Sequence, residues 1–143
     1  MHLLIRRISS YTAADVLLGV FETAEQAQSA RAAYAARYAA DPDSDPWREQ
    51  GYKDAGLPIG DLVIRELAAP SGSAEVLVVS NYSEGFGQVV RKFDSLHRSK
   101  ADADRRMAEL DAQDDLFPHY AICQRAVVGV LLSDAREDQP CLT

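Results

Sequence analysis

Apolar residues cluster in two short early runs and recur at helical spacing in a third stretch, and the whole order is then repeated. Residues 3–8 and 15–21 read as strands, joined by a turn at Tyr11-Thr12-Ala13-Ala14. A helix starts at Thr23, whose hydroxyl can accept from an orphan backbone N–H of the first turn, and runs to about Ala39. Ala27, Ala30, Tyr34 and Tyr38 recur on one stripe of that helix, which places them against a sheet. Asp41-Pro42-Asp43-Ser44-Asp45-Pro46 stops it, a polar connection leads to Pro58, and residues 61–67 form a third strand.

The small residues 68–73 mark a boundary between a first module, 1–70, and a second, 71–143, within one pseudo-duplicated domain. In the second module Val76-Leu77-Val78-Val79 is a continuous apolar run, as in a central strand covered on both faces, and its strand spans 75–82. Ser83-Glu84-Gly85-Phe86-Gly87 turns the chain and residues 88–97 return as the partner strand. Ser99 caps a helix that reaches about Asp111, with Ala103, Met107 and Leu110 inward. Residues 118–125 close the unit, 126–132 follow, and 133–143 are polar.

Each module is therefore strand, strand, helix, strand. The fold class predicted is α+β: two tandem ββαβ units in a ferredoxin-like layout, an antiparallel sheet with helices on one face. Two ways of joining the units stay open: one extended sheet, or two sheets stacked face to face. A helix covers one sheet face only, so the other needs the second unit or another subunit, and a homodimer is expected.

The junction Leu17-Leu18-Gly19-Val20-Phe21-Glu22-Thr23-Ala24-Glu25-Gln26-Ala27, with Gly51-Tyr52-Lys53 and Leu62-Val63-Ile64 downstream, resembles small uncharacterised bacterial proteins. These share a hairpin, a Gly-hydrophobic-aromatic-x-Ser/Thr-x-Glu junction, one helix and a closing strand. The resemblance covers the first half well and the second loosely, where Ser95 and His97 stand for the glycine and the aromatic. It implies a ββαβ fold and carries no catalytic residue across.

Fifteen basic and twenty-two acidic residues leave a net charge of −7, which disfavours binding to a phosphate backbone. No segment approaches the roughly 18–20 apolar residues that span a bilayer, and residues 1–7 lack the apolar run of a signal peptide. Cys123 and Cys141 form neither a disulfide framework nor a metal-ligand spacing, so a cytoplasmic location is expected. No metal is expected either: Asp41, Asp43 and Asp45 alternate like a calcium loop, but Pro46 and Tyr52 occupy the positions that need glycine and a bidentate glutamate.

No glycine-rich phosphate loop or nucleophile motif is present, and no cofactor is expected. His97, Asp94, His119 and Tyr120 have general acid–base potential if they border one pocket, although His97 replaces a packing aromatic at the junction. Arg91, Arg98 and Arg105 are candidates for an anion site, interleaved with Asp94, Asp102 and Asp104. Phe86, between two glycines at a hairpin tip, has no local reason for burial, and with Tyr82 and Glu84 it forms the candidate partner-binding group. The expected function is a non-enzymatic protein-interaction protein, such as a small acidic bacterial inhibitor or immunity-type protein. The alternative is a small-molecule-binding protein or enzyme whose pocket uses His97, His119 or Tyr120.

Overall fold

The computed structural model describes residues 1–8, 14–45, 62–69 and 72–132. In order these form β1 (His2–Arg6), β2 (Val16–Phe21), α1 (Ala24–Ala40), a single 3₁₀ turn (Pro42–Ser44), β3 (Leu62–Glu66), β4 (Glu75–Gly85), β5 (Gln88–His97), α2 (Lys100–Asp111) and β6 (His119–Val127). All of the turn expected at 11–14 except Ala14, the polar connection at 46–58, the segment Gly51-Tyr52-Lys53 and the tail from 133 lie outside the described residues.

Two antiparallel three-stranded sheets result, in the orders β2-β1-β3 and β5-β4-β6. In each the first strand of the unit lies at the centre, with the second and third on its flanks. Both sheets carry a register shift at the same place, between Leu4 and Ile5 in β1 and between Val79 and Ser80 in β4. The extra residue falls on the second strand each time, as Leu18 in β2 and Asp94 in β5. The helix starts correspond too. Thr23 accepts from the Gln26 N–H and Ser99 from the Asp102 N–H, both at 3.2 Å. One turn further on, Ala27 and Ala103 are fully buried, the small side chains that let each helix lie close on its sheet.

Of the two ways of joining the units that the sequence leaves open, the structure has the second, with two separate sheets in place of one sheet carrying both helices on one face. The sheets stack face to face, joined by a cluster of Leu3, Ile5, Leu17 and Val20 from one and Val76, Val78, Phe93, Leu96 and Ala126 from the other. Each helix covers the outer face of its own sheet. Leu4, Val16, Leu18 and Phe21 meet Ala27, Tyr34, Ala35 and Tyr38 of α1, while Leu77, Val79 and Cys123 meet Ala103 and Leu110 of α2. The face whose exposure motivated a homodimer is thus covered within the chain.

Residues 128–132 cross from the second sheet to the edge of the first. The Gly129 N–H donates to the Val20 carbonyl and the Leu132 N–H to the Leu18 carbonyl, each at 2.8 Å. This strap explains the glycine in β2. A Cβ at Gly19 would lie 2.8 Å from the Phe21 ring and 3.0 Å from the Val130 carbonyl oxygen. Among the described residues no such strap lies on β5, and the matching position there is Ser95. Beneath α1, the buried Arg6 donates to both carboxylate oxygens of Asp45, at 2.6 and 2.7 Å, and to the Tyr34 hydroxyl at 3.0 Å.

Candidate functional site

β4 continues past Tyr82 to Gly85, so the hairpin is tighter than the five-residue turn the sequence suggested. Gly85 pairs with Gln88, leaving a two-residue loop of Phe86 and Gly87 with φ of 53° and 74°. Positive φ at both central residues is the mark of a type I′ turn, whose right-handed twist matches the strands and which favours Asn, Asp or Gly at both positions. Gly87 fits that demand. Phe86 does not, and it is the one non-glycine residue with positive φ among the described residues.

The Phe86 side chain is 94% exposed. Its one ring contact is edge-on to Phe117, with centroids 5.3 Å apart and planes at 67°. Phe117 belongs to the loop between α2 and β6 and rests on Gly85, where an added Cβ would come within 2.7 Å of its ring. That loop is fixed to the hairpin by the Glu84 N–H, which donates to the Pro118 carbonyl at 3.0 Å. Leu116, the next residue along, is 88% exposed, and its N–H is held by Asp115 Oδ1 at 2.6 Å. Val90, on the same strand face as Gly85, is half exposed. Phe86, Phe117 and the adjoining Leu116 therefore bring large apolar side chains to this end of the second sheet, with Asp114 and Asp115 exposed in the same loop and Glu84 exposed on the other face of β4.

The other expected sites are distributed differently. Tyr82 is buried, stacked parallel on Tyr120 at 5.4 Å and beneath the Arg91 guanidinium at 5.3 Å. Arg91 is buried as well, donating to Ser80 Oγ at 3.0 Å, Gln124 Oε1 at 3.0 Å and the Asp15 carbonyl at 3.3 Å, with Phe93 below it at 4.4 Å. Arg98 lies past the end of β5, with its Nε on Ser73 Oγ at 2.7 Å. Arg105 is on the exposed side of α2, bonded to Asp102 at 3.2 Å. The three arginines do not converge on one anion.

Nor do the acid–base candidates meet. Asp94 receives Arg106 bidentately at 2.7 and 2.9 Å, and this hydrogen bonding holds its carboxyl below the usual carboxylate range despite partial burial. His97 shares a 2.8 Å hydrogen bond with Ser95 Oγ, and His119 donates from Nε2 to the Gln113 carbonyl at 2.7 Å. His97 stands opposite Leu77 and His119 opposite Ser83, a separation of about 20 Å at strand rise. Tyr120 points to the opposite sheet face.

Among the described residues no group of three His, Cys, Asp or Glu side chains is placed to hold a metal ion. Cys123, beneath α2, is disulfide-bonded, contrary to the expectation that the cysteines form no disulfide. Its partner lies outside the described residues.

No protein-family model, curated protein or solved structure matches this chain.

Proposed function

We propose that this chain is a non-enzymatic protein-interaction protein that contacts its partner through the β4–β5 hairpin tip. One observation carries the reading: Phe86 combines near-complete exposure with a left-handed backbone. A bulky residue in that region is disfavoured by on the order of 1 kcal/mol, and the fold gains almost no burial from the ring in return. Strain of this kind persists where something other than folding selects the residue. Apolar aromatic anchors that lose water in a partner's pocket are the residues that dominate interfaces.

A small acidic inhibitor or immunity-type protein is the specific form we favour, because the net charge of −7 suits capture of a basic partner. We also read the two units as a tandem duplication, on the shared strand order, bulge, cap and buried alanine. No helix among the described residues is long and apolar enough to cross a membrane. A disulfide-bonded Cys123 weighs against the cytoplasmic location the sequence suggested, since such bonds persist mainly in oxidising compartments. The homodimer has no part in the proposal.

The test is parallel purification of the tagged chain and of Phe86→Ala from the native cell. A protein retained by the first and lost by the second, with melting temperatures within a few degrees of each other, supports the reading. Equal retention by both overturns it.

A further inference from the structure

We infer that the partner is a basic protein that engages two anchors, Phe86 and Leu116, on one surface formed by the hairpin tip and the loop between α2 and β6; this rests on the interaction reading above. The loop's own geometry argues for it. Phe117 turns back onto Gly85 and Phe86, and the Glu84 to Pro118 hydrogen bond fixes the loop beside the hairpin. The adjoining Leu116 side chain is left 88% exposed, while its backbone N–H is tied down by Asp115. Two large apolar side chains held on neighbouring, mutually braced turns form a preorganised surface, which lowers the ordering cost of binding.

The charges around this surface set the partner's chemistry. Elsewhere most acids of the second unit are paired: Asp94 and Glu109 with Arg106, Asp102 with Arg105, Asp104 with Lys100 and Glu75 with Arg125, while Asp111 accepts from the Ala121 N–H. Asp114 and Asp115, which immediately precede Leu116, and Glu84, two residues before Phe86, are exposed and form no salt bridge among the described residues. An apolar centre with an unneutralised acidic rim complements an apolar pocket ringed by lysine or arginine. It is a poor match for an anionic membrane or nucleic acid.

The experiment places a photo-crosslinking benzoylphenylalanine at position 86, at 116 and, as a control, at the exposed position 32 on α1, in the full chain in its native cell. The expected result is one protein adduct common to 86 and 116 and absent from 32. That protein, identified by mass spectrometry and purified, should itself be basic, and its affinity should fall steeply with salt. Leu116→Ala and the pair Asp114→Lys, Asp115→Lys should each weaken it at least tenfold, a loss typical of hot-spot contacts, while melting temperatures stay at the wild-type value. An adduct at 86 without one at 116, or affinity indifferent to salt and to these variants, overturns the two-anchor basic partner and leaves the Phe86 reading standing. A lipid adduct or a second copy of this chain overturns the inference as well. Absence of any adduct at 86 overturns the interaction reading itself.

Discussion

Replacing Phe86 by asparagine should leave the protein as stable as the wild type or slightly more so. Full burial of a phenylalanine is worth roughly 1.5–3 kcal/mol, so a ring 94% exposed retains about a tenth of that or less. Its edge contact with Phe117 lies at the low end of the roughly 0.5–1.5 kcal/mol such pairs contribute, because water reaches both rings. Against these stands the left-handed backbone at φ 53°, about 1–2 kcal/mol for a residue with a Cβ and much less for asparagine. Phe86→Asn should therefore gain between zero and about 1 kcal/mol, a rise of up to roughly 4 °C in melting temperature for a chain of this size. Phe86→Ala keeps the backbone strain and loses the ring contact, so it should fall about 0.5 kcal/mol below wild type. Urea and thermal unfolding of the three proteins settle the order. A loss above about 2 kcal/mol in either variant would show that the ring supports the core, where truncation costs roughly 3–5 kcal/mol, and would remove the basis for the binding role proposed for it.

Two further outcomes follow from the packing. Gly19→Ala should destabilise the protein by about 1–3 kcal/mol, because its Cβ meets the Val130 carbonyl and the Phe21 ring, whereas Ser95→Gly at the matching strapless position should cost under about 1 kcal/mol; urea unfolding of both variants checks the asymmetry. Burial pushes the Tyr34 hydroxyl up to about 12 from its usual 10, so the folded state keeps a proton that the unfolded state loses. Stability should be full below about pH 10 and decline towards pH 12, by roughly 2–3 kcal/mol for this group, and Tyr34→Phe should flatten that decline. An equally steep alkaline loss in Tyr34→Phe would refute it.

The elements were legible because their signals are local. Thr23 and Ser99 cap their helices as the hydroxyl positions suggest, and β5 spans the residues that follow the glycine-flanked turn. The pairing of sheets was not legible, since a buried run such as Val76 to Val79 shows that both faces are covered without showing by what. Arg91 and Tyr82 were read as surface residues for a related reason. Arg91 shares a strand face with Phe93, so alternation alone sends it inward, but a run of basic residues in sequence suggests solvent. The sequence places Tyr82 last in its strand, whereas three more residues pair beyond it and carry it into the interior. Leu116 and Phe117 were missed although a signal existed: two large apolar residues between a pair of aspartates and a proline, with no helix or strand to bury them.

The two units share a core role, which makes their differences informative. β1 and β2 are 5 and 6 residues long, and β4 and β5 are 11 and 10, yet the cluster between the sheets takes nothing from β4 beyond Val78 or from β5 before Phe93. The first unit shows that a short hairpin suffices to build this interface. The added length of the second hairpin positions Arg91 and Tyr82 over the polar end of the interior, and beyond them it projects a tip that the core does not use. On that tip sits the residue whose backbone is least suited to its turn. A hairpin lengthened past the needs of packing, braced by a loop from the same unit and ending in an exposed aromatic, is more economically explained by contact with another molecule than by stability.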